Sequence, residues 1–191
     1  MKKFELTSEF ITNMFGTKLF RIKALVEFGN VKAGELGGYV EKEENLDQSG
    51  NAWVSGDAEV YGNARVSGNA WVSGNASVYG NARVSGNAWV SGNASVSGDA
   101  EVSGDAEVSG DADYSTAKGF GSCYRTTTFF GLKDGQVGVR CGCFCGNLNE
   151  FREKVMETHG ESKKAKEYLM LADLMEYRFS KEQKKGCRTY E

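Results

Sequence analysis

The chain has no proline, a single histidine and no long apolar run. Without proline, no proline-rich linker joins its parts. With His159 alone, one chain cannot assemble a catalytic zinc site from several histidines. Nowhere do about eighteen apolar residues follow one another, so no membrane-spanning helix is expected, and the opening MKKFELTSEF lacks the apolar stretch of a signal peptide. Cysteines number five, an odd count. In a chain without an export signal they point to reduced thiols in a cytoplasm and not to a disulfide framework. Basic charge is not in excess: 23 Lys and Arg against 26 Asp and Glu give a net −3, which argues against nucleic acid as a partner.

What the sequence has in abundance is one phrase. Residues 50 to 115 repeat a hexad eleven times without a break, from GNAWVS through GNARVS and GNASVY to GDAEVS and GDADYS. Self-similarity at a fixed short period means a solenoid, in which each repeat is covered by its neighbours. Alternate residues of an extended segment face opposite sides, so Val54, Val60 and their successors point inward while the residue before each valine and the Ser or Tyr after it point outward. Gly-Asn or Gly-Asp then makes a corner, because these residues tolerate left-handed backbone, and the small Ala tucks in beside it. A helix is excluded, since a glycine every six residues would cost about 1 kcal/mol each relative to alanine.

A second period lies over the first. The outward residues run Trp53, Glu59, Arg65, Trp71, Ser77, Arg83, Trp89, Ser95, Glu101, Glu107, Asp113, so tryptophan returns every third hexad. Three hexads per coil make a three-sided prism. One side stacks Trp53, Trp71 and Trp89 at about the 4.8 Å strand spacing. A second carries Tyr61 and Tyr79 with Glu59, Ser77 and Ser95, and the third carries Arg65, Arg83 and Glu101.

This pattern resembles the left-handed parallel β-helix of hexapeptide-repeat proteins over residues 50 to 115. The resemblance implies the left-handed sense and a homotrimer. Many proteins of that family are acyltransferases that use a histidine as general base near a subunit boundary, and the zinc carbonic anhydrases of the fold use several histidines. Here the coils hold no histidine, so neither activity is expected, and acyl transfer stays as an alternative only through His159. The flanks RIKALVEFGNVKAGELGGYVEKEENL and VRCGCFCGNLNEF resemble parts of uncharacterised phage, prophage and bacterial proteins with the same helix, which implies a phage-related setting inside a host cell.

Residues 1 to 36 are expected to form a β cap, with strands around Phe4–Leu6 and Leu19–Leu25 and a turn near Gly16-Thr17, since the first coil otherwise leaves an open strand edge. The helix is placed at 37–115, with Val40 and Leu46 opening an irregular coil and two residues bulging before Val54. Residues 116 to 191 read as a small α+β domain of ββαα order. Thr126–Phe130 is a strand, Asp134-Gly135 a hairpin turn, and Val137, Val139, Cys141, Cys143 and Cys145 one face of the returning strand. Asn147 with Glu150 forms a capping box, Gly160 stops that helix, and Ser162 caps a second whose Ala165, Tyr168, Leu169, Ala172, Met175 and Phe179 follow the helical period.

The candidate sites follow from these faces. Three outward indoles in register would make an apolar strip that a monomer rarely leaves in water. Trp53, Trp71 and Trp89 are therefore expected to be an assembly face at the axis of a trimer, or else a recognition surface. Arg65 and Arg83 can hold phosphate or carboxylate, and Tyr61, Tyr79 and His159 are secondary binding candidates, His159 lying in the last turn of a helix where it can meet the terminal carbonyls. Cys141, Cys143 and Cys145, even with Cys123, have the wrong spacing for zinc and are expected as buried small hydrophobes. The acidic group from Asp99 to Asp113 lacks a calcium-binding arrangement. No metal, no cofactor and no membrane partner is implied. The expectation is a mainly β, cytoplasmic, non-enzymatic scaffold that engages and inhibits a host protein or captures a host signalling nucleotide; the other alternative is a purely structural, self-assembling stalk.

Overall fold

A computed structural model describes residues 2–120 and 125–180. In chain order they form β1 (Phe4–Thr12), β2 (Lys18–Ala24), β3 (Leu36–Val40), ten two-residue strands β4 to β13 from Trp53–Val54 to Glu107–Val108, β14 (Tyr114–Ala117), β15 (Thr127–Gly131), β16 (Val137–Cys141), β17 (Phe144–Asn147), α1 (Leu148–His159) and α2 (Lys163–Phe179). None of the described helices is long and apolar enough to cross a membrane.

Each hexad folds as its residues require. The valine is fully buried from Val54 to Val108, each worth about 1.5–3 kcal/mol of burial, and the alanines beside them are buried as well. The corner glycines from Gly50 to Gly104 all sit at φ between 61° and 71°, the left-handed region that a side chain would strain. Parallel pairing joins residues eighteen apart: Trp53 with Trp71 and Trp89, Glu59 with Ser77 and Ser95, Arg65 with Arg83 and Glu101. Three hexads therefore make one coil, and the three sheets are the three faces of a β-solenoid of about four turns.

The coil-to-coil bonds have a direction. Asn51, Trp53 and Ser55 donate their N–H groups to the carbonyls of Gly68, Ala70 and Val72, and later coils repeat the pattern. Within the paired strands the parallel register also returns bonds the other way, but most coil-to-coil bonds share one direction. The first coil is thus left mainly with carbonyls facing outward and the last mainly with N–H groups, and an unpaired buried backbone group costs about as much as a lost hydrogen bond. Donors close the first end. Lys3 Nζ donates to the carbonyls of Ser49 (3.3 Å), Gly50 (3.4 Å) and Ala52 (2.9 Å), and Gln48 Oε1 in turn accepts the Lys3 N–H at 2.8 Å. Acceptors close the other end: Thr128 Oγ1 takes the Glu101 N–H at 2.9 Å and Asp111 Oδ1 the Ser95 N–H at 2.7 Å.

The same polarity explains why aspartate replaces asparagine in the last hexads. At one corner Asn51 Nδ2 donates to Asn69, Asn69 to Asn87, and Asn87 to Asp105; at another, Asn63 donates to Asn81 and Asn81 to Asp99. A carboxylate accepts without needing to donate onward, so it ends the ladder. Lys118 neutralises Asp99 at 2.8 Å.

The flanks build these ends. β1 and β2 form the expected antiparallel hairpin, β2 pairs with β3, and β3 runs parallel to Glu59–Val60, so cap and coil share one sheet. Val40 pairs with Val60 and Leu46 with Val66, an offset of 60 − 40 = 20 where the regular coils show 18. The two added residues lie before Val54, and the Asn45 side chain fills the gap by donating to the carbonyls of Gly62 and Ala64. At the far end β15 lies between two cores, with alternate residues facing each. Phe130 plugs the prism, while Phe129 joins Val139 and the buried residues of α1 and α2.

The terminal domain departs from the expected strands in two places. β14 adds an edge strand to β15, and the returning strand stops at Cys141, because Gly142 at φ +60° turns the chain into β17. Cys143 and Cys145 are consequently exposed and Cys141 half-buried, which corrects their assignment to one buried face; Cys123 lies outside the described residues. The capping box at Asn147 and Glu150, the stop at Gly160 and the Ser162 cap are present as expected.

Burial pushes the Lys3 ammonium down to about 8 from its ordinary 10.5, with the Asp47 carboxylate pulling the other way. Between those values the unfolded chain holds more protons, so stability rises with pH through the window and the cost of the buried charge is fully present below pH 8. Unfolding free energies measured from pH 8 to 10.5 should climb in the wild type relative to Lys3→Met.

Candidate functional site

The third face of the prism carries the chemistry. Ala64 and Val66 are buried on either side of Arg65, as Ala82 and Val84 are beside Arg83, so both guanidinium groups must project outward from adjacent, in-register strands. Strand spacing holds the two backbones about 4.8 Å apart, and like charges opposed in this way are destabilising unless something neutralises them. Glu101 stands next in the column, paired in register with Arg83. Its carboxylate is already taken, however: Arg140 on β16 donates Nε–H to Glu101 Oε2 at 2.9 Å. That bond, with a lesser contribution from Cys145, holds the Arg140 guanidinium above its ordinary pKa against the effect of burial. At the opposite end Glu43 is held by Lys2 at 2.6 Å. Among the described residues neither Arg65 nor Arg83 has an ion pair or side-chain hydrogen bond.

These two cations floor a groove of about 850 Å³. The cap side supplies one wall through Glu43, Glu44 and Gln48, and the β16–β17 turn supplies the other through Arg140 and Gly142, with Ser67 and Ser85 hydroxyls along the floor. Guanidinium forks match the oxygens of carboxylate and phosphate two at a time. The coil repeat thus fixes two such forks side by side, in a lining that also holds the carboxylates of Glu43, Glu44, Asp47 and Glu101.

The tryptophan face is not the strip that three outward indoles would make. Trp53 is fully buried, Trp71 half-buried, and Trp89 is 47 % exposed. The cap folds over the first coil and sets Phe28 edge-on to Trp53 at 5.4 Å. Trp71 Nε1 donates to Ser55 Oγ (3.1 Å) and Trp89 Nε1 to Ser73 Oγ (3.3 Å), each sixteen residues back. The corresponding position for Trp53 is Gly37, where an added Cβ would lie 2.5 Å from Ile22 Cγ1 and 2.7 Å from the Trp53 ring. No hydroxyl fits there, and Trp53 Nε1 is buried without a hydrogen-bond partner among the described residues, at a cost of about 1–3 kcal/mol. The exposed part of the assembly candidate is reduced to Trp71 and Trp89.

On the remaining face Tyr61 and Tyr79 stack with ring centroids 5.1 Å apart and planes within 2°, and Phe15 of the cap hairpin packs on Tyr61 at 6.5 Å. Burial raises the Tyr61 pKa, helped by Tyr79 and Glu59. His159 is in the last turn of α1 as expected, stacked on Tyr168 at 5.9 Å, and lines a different cavity from the arginines. The structure brings Arg65 and Arg83 together with Arg140, Glu43 and Gln48, which sequence spacing does not connect.

Residues 58–74 and 76–92 match the family model described as the YdcK beta solenoid repeat. Each segment covers close to one eighteen-residue coil, and together with the parallel register they define the protein as a β-solenoid repeat protein. No curated protein matches the chain.

The two ends of the tryptophan column should behave oppositely. Trp53→Ala is expected to cost about 3–5 kcal/mol in unfolding free energy, as for a large side chain removed from a core. Trp89→Ala in the isolated chain should change it by less than about 1 kcal/mol, as for surface substitutions. Chemical denaturation of the two variants checks both values.

Proposed function

We propose that the protein is a non-enzymatic binding scaffold whose solenoid holds Arg65 and Arg83 at a fixed spacing to receive a phosphate-bearing ligand, a nucleotide. The observation that carries this reading is the pair of guanidinium groups that have no carboxylate partner among the described residues, on the floor of a walled groove. Because the coils are rigid, little ordering is needed on binding. The groove volume also falls within the range of small-molecule sites, about 300–1,000 Å³. An acyl-transfer reading needs a general base beside the bound ligand, and neither the floor nor the walls of the groove offer a histidine.

In this reading the stalk is a homotrimer joined through Trp71 and Trp89; the half-exposed Trp89 indole supports it, since such a surface is commonly covered. The resemblance of the flanks to phage and prophage proteins sets the activity in the cytoplasm of a host cell. There the captured nucleotide is a host signal, and its sequestration silences a host response. An acidic segment of a host protein would meet the same arginines.

Calorimetric titration with ATP and with pyrophosphate at low salt tests the binding claim. A charge-assisted hydrogen bond is worth about 1.5–3 kcal/mol, so Arg65→Gln and Arg83→Gln should each weaken binding by roughly 10- to 100-fold. Arg140→Gln, which frees Glu101 to neutralise Arg83, should weaken it as well. Wild-type protein that binds neither compound contradicts the nucleotide reading, and undiminished binding by the double Arg65→Gln, Arg83→Gln variant contradicts the site. Native mass tests assembly separately: the wild type should run as a trimer and Trp71→Ser as a monomer.

A further inference from the structure

A second cavity, of about 290 Å³, lies in the terminal domain, and Gly142 lines both it and the arginine groove. It is independent of the arginine pair. Its body is apolar: Phe144 and Phe151 meet at 5.5 Å, and Phe151 and Tyr168 at 5.7 Å in an edge-on pair. Phe151, Val155 and Tyr168 are buried members of the helix core. Its rim carries Arg125 and Lys154 with the half-buried His159 beside them, and among the described residues no carboxylate lines it.

The cations are not equivalent. Lys154 is tied to Glu157 at 2.8 Å. Arg125 has no ion pair among the described residues and lies across Gly142, where an added Cβ would stand 3.1 Å from Nη1. A side chain at 142 would therefore press on the guanidinium, and the positive φ of that turn already favours glycine. The His159 ring stacks on Tyr168, whose hydroxyl donates to the Phe120 carbonyl at 3.3 Å.

We infer that this cavity binds a small amphipathic anion, an aromatic carboxylate, with its ring against Phe144, Phe151 and Tyr168 and its carboxylate on Arg125. The volume lies at the small end of ligand cavities, near 300 Å³. A neutral apolar molecule would leave the exposed Arg125 guanidinium to solvent, and an inorganic anion would leave the rings uncovered. Only a ligand with both parts uses both surfaces.

Cys143 supplies the test, since its exposed thiol lines the cavity, while exposed Cys145 two residues on does not. The intact protein is alkylated with iodoacetamide, and the rate at each cysteine is read by fragment-ion mass spectrometry with phenylacetate, phenylacetamide or acetate present. Only the free fraction reacts, so phenylacetate at several times its Kd should slow Cys143 by about fivefold. Cys145 should be unaffected, acetate and phenylacetamide should protect weakly or not at all, and Arg125→Gln should abolish the protection. The assignment is overturned if phenylacetate does not protect Cys143, if phenylacetamide or acetate protects as well, if Cys145 is slowed equally, or if Arg125→Gln leaves protection intact. Pyrophosphate binding at Arg65 and Arg83 is measured on the same sample, so failure of one site is distinguishable from failure of the other.

Discussion

The directed hydrogen bond between successive coils is the constraint on which the rest of this structure depends. Parallel stacking pairs Trp53 with Trp71 and Arg65 with Arg83 without limit, but a finite stack ends mainly in carbonyls on one side and mainly in N–H groups on the other. The flanking segments answer that chemistry term by term. An ammonium and a side-chain amide, from Lys3 and Asn45, face the carbonyls, while a threonine hydroxyl and an aspartate carboxylate face the N–H groups. Even the switch from asparagine to aspartate at Asp99 and Asp105 follows from the direction in which the corner amides donate.

The groove is a product of the same closure. The irregular twenty-residue turn that brings Leu46 into register with Val66 also raises Glu43 and Gln48 as one wall. The β16–β17 hairpin that covers the last coil brings Arg140 to Glu101 as the other. Between them the repeat leaves two arginines without an ion-pair partner among the described residues. A column that read Arg-Arg-Glu in isolation would satisfy one arginine from within; the terminal domain removes that option by occupying Glu101. The proposed binding site is thus a product of what the ends of the solenoid take away from its middle.

Much of this was legible in residue order. The hexad fixes inward Val and corner Gly, the recurrence of tryptophan fixes three hexads per coil, and the eight-residue step from Leu46 to Val54 announces the two-residue irregularity. Asn147 with Glu150 and Ser162 before Ala165 mark both helix starts. Tertiary cover was not legible. Trp53, Trp71 and Trp89 occupy identical positions in identical phrases, yet Phe28 buries the first and leaves the third half exposed. Cys141, Cys143 and Cys145 alternate as if on one strand, but Gly142 adopts a left-handed turn that separates them. Lys3 looks like an ordinary surface lysine, and its three carbonyl partners are 46 to 49 residues away. The bond from Arg140 to Glu101 spans 39 residues with no local pattern to signal it.

Residue-resolved amide hydrogen exchange along the coils tests the sealed-end account most directly. If both ends are closed as described, the first coil around Trp53–Val66 and the last around Glu101–Val108 exchange as slowly as the middle around Arg83–Trp89, because the stack opens only as a unit. Exchange that begins at either end and falls off coil by coil toward the centre would contradict it.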